Sequence, residues 1–290
     1  MKVTEGYMPF LDYQTYYRIV GEASEKTPLL LLHGGPGSTH NYFELLDELA
    51  DDGRQLIMYD QLGCGLSSIP NKPELWTAKT WLDELITLRE YLGLERVHIL
   101  GQSWGGMLLI KYMCDKEPSG VDSIILSSTL SSAELWKQEQ HRLIKLMDEK
   151  EQEAIAYAEA NNDFSKLEYL KANDLFMQRH AGDMPTKISP EPLRRQKTRG
   201  DQAYLYAWGP NEFFPMGTLK TFDYTAQLHQ IKVPALIISG ADDLCTPVIA
   251  KTMYDEIPNA TWELFQHSRH MPFVEERDKY INILASWLEK

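Results

Sequence analysis

Five short apolar runs constrain the fold of this chain more than any other feature. They read PLLLLHG (28–34), RQLIMYD (54–60), RVHILG (96–101), VDSIILSS (121–128) and PALIISG (234–240). Each run is apolar at successive positions, which is typical of parallel strands covered on both faces. Helical patterns lie between and after them, over about 77–92, from Ser103 onward, and over about 247–256 and 274–289. This alternation predicts an α/β fold with a mostly parallel sheet flanked by helices.

Two segments depart from the alternation. The stretch GYMPFLDYQTYYRIVG (6–21) roughly alternates apolar and polar residues and predicts a β-hairpin. Residues 131–225 are helical, charged and aromatic, and they contain no buried-strand run. We therefore expect residues 1–130 and 226–290 to form the α/β core. We expect residues 131–225 to be an inserted helical lid over the carboxyl ends of the strands, where sites form in such folds.

The composition argues against several classes of partner. The chain has 290 residues and a formal net charge of −13, which disfavours nucleic acid and anionic membranes as partners. No apolar run approaches the ~20 residues that span a bilayer, and MKVTEGYMPFLDY lacks the apolar core of a secretory signal. Cys64, Cys114 and Cys245 are odd in number and far apart, which fits neither a disulfide framework nor a zinc motif. We expect a cytoplasmic protein, and nothing in the sequence predicts an oligomeric state.

The stretch LGQSWGGMLLI (100–110) places Ser103 between Gly101 and Gly105, after a predicted strand and before a predicted helix. In this context the pattern G-x-S-x-G presents a serine nucleophile on a sharp turn. The turn brings strand and helix so close that the flanking residues must lack side chains. The helix N-terminus supplies free N–H groups. The sequence therefore predicts that Ser103 is a nucleophile rather than part of an ordinary turn.

A nucleophilic serine needs a base and an orienting acid, and in this type of site the chain order is serine, acid, histidine. The run PALIISG is followed by ADDLCTP, which offers Asp242 and Asp243. The run WELFQ is followed by HSRHMPF, which offers His267 and His270. His270 lies further into its loop and has more freedom to reach Ser103. A zinc site at the two histidines is disfavoured because no third ligand suggests itself. The residues alone do not decide between Asp242 and Asp243 or between His267 and His270.

The segment HGGPG (33–37) follows the first apolar run. A loop of this kind supplies one N–H of an oxyanion hole, and the residue after the nucleophile, here Trp104, supplies the other. We predict Gly35 as the first donor because a residue without a side chain lets the backbone approach a substrate. Taken alone, HGGPG would be an ordinary glycine–proline turn. Together with Ser103 and a late histidine, it favours the oxyanion-hole interpretation.

Six segments carry a family resemblance. HGGPG, DQLGCGLS, GQSWGG, GPNEF, GADDLCTP and SRHMPF, in this order, resemble the proline iminopeptidases (prolyl aminopeptidases) of the α/β-hydrolase fold, and the likeness covers essentially the whole chain. The resemblance implies a serine aminopeptidase, without metal or cofactor, that releases an N-terminal residue, preferably proline, from small peptides with a free N-terminus. It also implies the triad Ser103, Asp243 and His270, with Gly35 and Trp104 as the oxyanion hole.

The same resemblance bears on the choice of substrate. It implies that Glu212, in GPNEF, contacts the protonated α-amine, because a buried cation needs a carboxylate partner. The neighbouring aromatic residues either line a pocket for the pyrrolidine ring or form the core of the lid; they are Trp208, Phe213 and Phe214. In related members a second acid follows the catalytic aspartate directly, whereas this chain has Leu244. The departure leaves a Pro-X dipeptidase and a broader aminopeptidase as alternatives.

Other functions with the same fold are weaker interpretations. An esterase or lactonase would use the same triad but would need no anchor for an amine. Epoxide hydrolases and dehalogenases normally need a carboxylate nucleophile, so Ser103 argues against both. A non-catalytic binding protein would have lost a triad or oxyanion residue, and none is visibly lost.

Overall fold

The computed structural model describes residues 1–289 and contains one eight-stranded sheet. Its strands are β1 (Val3–Phe10), β2 (Tyr13–Val20), β3 (Leu29–Leu32), β4 (Leu56–Tyr59), β5 (Val97–Gln102), β6 (Val121–Ser127), β7 (Ala235–Gly240) and β8 (Ala260–Phe265). Their order across the sheet is β1-β2-β4-β3-β5-β6-β7-β8. Strands β3 to β8 are parallel to one another, and β1 and β2 form an antiparallel hairpin at one edge. The predicted α/β class with a mostly parallel sheet is confirmed.

Helices follow most of the parallel strands. They are α1 (Ala78–Tyr91), α2 (Trp104–Lys116), α3 (Ala133–Ile144), α4 (Glu149–Asn161), α5 (Leu167–His180), α6 (Glu191–Arg194), α7 (Asp201–Ala207), α8 (Pro247–Glu256), α9 (Pro272–Glu275) and α10 (Arg277–Leu288). Short 3₁₀ helices cover His40–Ala50, Gly65–Ser67, Pro73–Leu75 and Thr225–Gln230. Helices α3 to α7 all lie between β6 and β7, and we call residues 128–234 the β6–β7 segment.

Strand β3 shows why the apolar runs are continuous. All four of its leucines are fully buried, but they belong to two different core clusters. Leu30 and Leu32 pack into the cluster on one face of the sheet, whereas Leu29 and Leu31 pack into the cluster on the other. Because successive side chains of a strand point to opposite faces, a strand covered on both sides needs an apolar residue at every position.

The β6–β7 segment contacts loops that follow the strands of the sheet. The Gly200 N–H donates to the carbonyl of Gly37, in the loop after β3, over 2.8 Å. The Gln140 side chain, on α3, donates to the carbonyl of Leu244, in the loop after β7, over 2.7 Å. These contacts bring the segment to the carboxyl ends of the parallel strands, where the side chains of the site converge.

Candidate active site

Ser103 lies in the turn between β5 and α2 with backbone angles φ 53° and ψ −122°. A positive φ is rare for a residue with a side chain, so neighbouring groups must hold this conformation. The Ser103 N–H donates to the carbonyl of Ser127 over 3.0 Å, and the Thr129 hydroxyl donates to the Ser103 carbonyl over 2.6 Å. A Cβ atom at Gly105 would lie 2.0 Å from the Leu32 carbonyl oxygen. The chain therefore needs glycine beside the serine because α2 passes against the end of β3.

Asp243 and His270 form a buried pair. The His270 Nδ1 atom lies 2.6 Å from Oδ1 of Asp243. Asp243 also accepts hydrogen bonds from the Ser128 hydroxyl (2.6 Å) and from the N–H groups of Gly240 (3.1 Å) and Cys245 (2.9 Å). Burial alone would lower the pKa of His270, but the Asp243 carboxylate outweighs it and raises that pKa above the usual value of 6.5. The imidazole is therefore a stronger base than a free histidine.

The other two candidates for acid and base lie outside this pair. Asp242 is exposed, and its carbonyl accepts a hydrogen bond from His180 over 2.9 Å. His267 is also exposed, and its N–H donates to Glu276 over 3.0 Å. The structure thus brings together Asp243 and His270, which the resemblance implied.

Two backbone N–H groups beside Ser103 have no hydrogen-bond acceptor within residues 1–289: those of Gly35 and Trp104. The Gly34 N–H, by contrast, donates to the Tyr42 hydroxyl over 2.6 Å. Gly35 has φ 116°, a conformation that side chains disfavour. Trp104 is the first residue of α2, so its N–H is one of the donors that a helix leaves unpaired at its N-terminus. Its indole ring is buried and donates to Gln61 over 2.7 Å.

A cavity of about 360 Å³ joins the Ser103 turn to the β6–β7 segment. Its lining from the core comprises Gly34, Gly35, Pro36, Gly37, Ser38, Tyr42, Gln102, Ser103, His270 and Met271. Its lining from the β6–β7 segment comprises Asn173, Met177, Arg199, Asp201, Tyr204, Pro210, Asn211 and Glu212. The cavity therefore has Ser103 and His270 on one side and the Glu212 carboxylate on the other.

Glu212 is held in this cavity by its neighbours. Oε1 of Glu212 accepts the Tyr204 hydroxyl over 2.8 Å, and its carbonyl accepts the Trp136 indole N–H over 2.7 Å. Burial raises the pKa of Glu212 above its usual range, although the Tyr204 hydroxyl and the charges of His270 and Arg199 oppose this. A cation bound in the cavity would favour the ionised carboxylate, because a buried charge is stabilised by an opposite one.

The three predicted aromatic residues lie behind the cavity wall. Trp208 and Phe213 are buried in the hydrophobic core, and Trp208 packs edge-on against Trp136 at 6.3 Å. Phe214 is half-buried beneath the ammonium group of Lys137, which lies 5.1 Å from its ring centre. None of the three is among the lining residues found within positions 1–289. Trp136 itself packs edge-on against His270 at 6.1 Å.

Leu244, at the position where the resemblance implied a second acid in related proteins, is buried. Its N–H donates to the His180 carbonyl over 3.2 Å, and its carbonyl accepts from Gln140 over 2.7 Å. The position therefore contributes packing and backbone hydrogen bonds, and no charge.

A second cavity, of about 480 Å³, lies beside the β1–β2 hairpin and holds several charged groups. These groups are largely paired with one another or with adjacent carboxylates. His40 lies 2.7 Å from Asp60, and Arg195 lies 2.8 Å from Glu44. Asp60 is buried, and its carboxylate accepts the backbone N–H groups of His40 and Leu66 in addition to its contact with the His40 ring. We therefore place the chemistry at the cavity beside Ser103.

One feature of the site was missed by sequence reasoning. The Tyr42 hydroxyl accepts from the Gly34 N–H and donates to Oε1 of Gln102 over 2.9 Å, and Gln102 in turn donates to the His270 carbonyl over 3.4 Å. This chain of hydrogen bonds joins the HGGPG loop to the loop that carries His270. In the sequence, the polar residue Gln102 directly before Ser103 could have indicated such a contact. No feature of the sequence around Tyr42 indicated its role.

The described residues 1–289 contain no cluster of three or more His, Cys, Asp or Glu side chains arranged to hold a metal ion. They also contain no helix long and apolar enough to cross a membrane.

Comparison with known proteins places the chain in a family. A family model described as the alpha/beta hydrolase fold matches residues 27–277. A proline iminopeptidase from Clostridium botulinum is 60% identical over 291 residues, covering 100% of this chain and 99% of the relative. The chain belongs to the proline iminopeptidase family. It is a hydrolytic enzyme, an aminopeptidase, and the resemblance predicted from the six segments is confirmed.

Solved structures agree with this family assignment. The structure of VinJ superimposes with a TM-score of 0.89 at 32% identity, covering 99% of this chain and 98% of VinJ. The proline iminopeptidase from Mycobacterium smegmatis superimposes with a TM-score of 0.86 at 30% identity, again covering 99% and 98%. Both likenesses extend over the sheet and the β6–β7 segment, which confirms the predicted α/β-hydrolase fold.

Proposed function

We propose that this chain is a serine exopeptidase that releases an N-terminal residue, preferably proline, from small peptides through an acyl-enzyme. The observation that carries the proposal is one cavity that contains Ser103, His270 and Glu212. A nucleophile with its base supports acyl transfer, and a carboxylate in the same cavity supports recognition of an ammonium group. The proline iminopeptidases among the relatives support proline as the preferred residue.

In the proposed reaction, His270 removes the proton of the Ser103 hydroxyl as that oxygen attacks the first carbonyl of the peptide. Asp243 orients the imidazole and stabilises its protonated form. The N–H groups of Gly35 and Trp104 donate to the oxyanion of the tetrahedral intermediate, and such donors contribute about 3 kcal/mol each. His270 then protonates the leaving amine, and the shortened peptide departs. Water attacks the acyl-enzyme by the reverse proton transfers, which releases the N-terminal residue and restores Ser103.

In the proposed complex, the substrate's ammonium group lies at Glu212 while its first carbonyl lies at Ser103. The distance between these two groups in an amino acid is fixed, so this arrangement selects the first residue of a chain. The aromatic residues Trp208, Phe213 and Phe214, which do not line the cavity among the described residues, would support from behind the part of the β6–β7 segment that does. We also propose that residues 131–225 act as a lid that limits access to short peptides, because this region supplies the lining residues opposite Ser103.

The direct test is the Ser103→Ala variant with a prolyl-arylamide. We expect turnover to fall to the background rate, because alanine has no hydroxyl group to attack the substrate carbonyl. Full turnover by the variant would overturn the mechanism. Rates on prolyl-, alanyl- and leucyl-arylamides, beside Pro-X dipeptides and a longer peptide with N-terminal proline, would then separate the aminopeptidase from the dipeptidase alternative.

A second experiment separates the peptidase from an esterase or lactonase with the same triad. The Glu212→Gln variant removes the charge but keeps the size of the side chain. We expect kcat/KM for prolyl-arylamide to fall by about 10- to 100-fold, as for loss of a hydrogen bond to a charged group. Unchanged peptide kinetics, together with equal cleavage of N-acetylprolyl and free prolyl substrates, would favour the esterase.

A further inference from the structure

The cavity leaves one amide acceptor unpaired. Oδ1 of Asn173, on α5, is buried and has no hydrogen-bond partner within residues 1–289. Asn173 lines the cavity together with Met177, which lies one helical turn further on the same face. Buried polar atoms in proteins are nearly always paired, so an unpaired carbonyl in a cavity points to a missing donor.

Two other amide oxygens of the cavity already accept hydrogen bonds, and its other carboxylate is exposed to solvent. Oε1 of Gln102 accepts the Tyr42 hydroxyl, and Oδ1 of Asn211 accepts the N–H groups of residues 213 and 214 over 3.1 and 2.8 Å. The Asp201 side chain is 80% exposed, with Arg199 3.7 Å away. Among the amide side chains that line the cavity in the described part of the chain, Asn173 is the one whose buried oxygen has no hydrogen-bond partner. The Glu212 carboxylate accepts a hydrogen bond from Tyr204 at Oε1.

The number of donors on the substrate matches these two groups. An N-terminal proline carries a secondary ammonium group, which has two N–H donors. A buried cation must have its donors satisfied by acceptors, or its desolvation is not offset. One donor is satisfied by Glu212 under the proposed function. The second has no carboxylate at position 244, because Leu244 is buried and apolar.

We infer that Oδ1 of Asn173 is the second acceptor for the substrate's ammonium group, beside the Glu212 carboxylate. The inference rests on the proposed function and adds a binding residue to it. The amide oxygen takes the role that the missing second acid would have, with a partial charge in place of a full one. Asn173 is thus a specificity residue for substrates with a free amine, carried by α5.

The test uses two substrates that differ only in the amine. One is the prolyl-arylamide, and the other is tetrahydrofuran-2-carbonyl-arylamide, whose ring oxygen replaces the NH₂⁺ group. The Asn173→Leu variant keeps the size of the side chain and removes the acceptor. We expect kcat/KM for the prolyl substrate to fall by about 10- to 100-fold, and kcat/KM for the ring-oxygen analogue to stay within about twofold. Gln178→Leu, at an exposed position of the same helix, is the matched control and should change neither value.

A second variant distinguishes loss of the acceptor from a change in folding. Asn173→Asp supplies an acceptor with a full charge, so the ratio of the two kcat/KM values should be at least that of the parent enzyme. The inference is overturned if Asn173→Leu lowers kcat/KM equally for both substrates or changes neither value. It is also overturned if Asn173→Asp loses discrimination between the two substrates as Asn173→Leu does. The proposed function fails differently: Ser103→Ala would then keep its activity, or the parent enzyme would not cleave prolyl-arylamide.

Discussion

Four hydrogen bonds hold the Asp243 carboxylate, one of them from Nδ1 of His270. The other three come from the Ser128 hydroxyl and from backbone N–H groups at the end of β7 and in the loop after it. They hold the carboxylate in place beside the imidazole. As a result, the negative charge raises the pKa of His270 even though the ring is buried.

This arrangement predicts the pH dependence of the reaction. His270 acts as a base only when it is neutral, so activity falls as the pH drops through its pKa. Since that pKa is raised, the acid limb of kcat/KM should have its midpoint above 6.5. Asp243→Asn should lower kcat by about a thousandfold or more and shift the midpoint of the residual activity downward. Asp242→Asn, at the exposed neighbour, is the control; an equal loss in it would contradict the assignment of the acid.

Tyr42 gives a second prediction for a single residue. Tyr42→Phe leaves the Gly34 N–H unpaired and breaks the link to Gln102, so the unfolding free energy should fall by about 1–3 kcal/mol. We expect kcat to fall more than KM rises, because the HGGPG loop loses its support beside the oxyanion site.

The control for Tyr42 is Tyr59→Phe. The Tyr59 hydroxyl is buried without a hydrogen-bond partner among the described residues. Its removal should leave stability unchanged or increase it slightly. Urea denaturation and steady-state kinetics on both variants measure the difference, and equal behaviour of the two would refute the role given to Tyr42.

The elements of the sheet and the Ser103 turn were predictable from sequence because their causes are local. An apolar residue at every position of β3 reflects two covered faces, and Gly101 reflects a close approach to Gly105, a few residues along the chain. Gly105 was predictable from the motif, although the group it approaches is the distant Leu32. The Tyr42–Gln102 contact was not predictable, because it joins residues 60 positions apart. For Trp208, Phe213 and Phe214 the sequence left two interpretations open, a substrate pocket or the core of the lid. Which way each ring points depends on how the β6–β7 segment packs, and the sequence does not show that packing.

Because α2 lies against the end of β3, adding one methyl group at Gly105 should strongly lower the free energy of unfolding. Gly105→Ala places a Cβ atom 2.0 Å from the backbone oxygen of Leu32, so strand and helix must move apart. We expect a loss of at least about 3 kcal/mol in unfolding free energy and a loss of turnover. Gly93→Ala is the control: nothing lies within 4 Å of its Cβ position, and only its φ of 64° is unfavourable. That variant should cost about 1 kcal/mol, measured by urea denaturation.

At the scale of the whole molecule, Glu84 joins three parts of the fold. It lies on α1, accepts the Leu62 N–H after β4 over 2.9 Å, and accepts the hydroxyl of Thr15 on β2. Burial raises the pKa of Glu84 to about 8. In the unfolded chain its pKa is about 4.5, so the folded state prefers the protonated form.

Stability should therefore depend on pH through Glu84. Its contribution is fully present below pH 4.5 and is lost as the pH rises through about 8. A shift of this size corresponds to roughly 4–5 kcal/mol. Glu84→Gln removes the titration, so its unfolding free energy should vary less between pH 5 and 9 than that of the parent protein. Identical pH profiles from urea denaturation would contradict this prediction.

The two sides of the cavity come from different parts of the chain. Ser103, Asp243 and His270 all follow strands of the sheet, whereas Glu212 comes from the β6–β7 segment. Under the proposed function, bond cleavage and substrate choice would thus be encoded in separate stretches of the gene. Exchange of residues 128–234 between two family members would transplant preference while leaving the capacity for acyl transfer in the recipient.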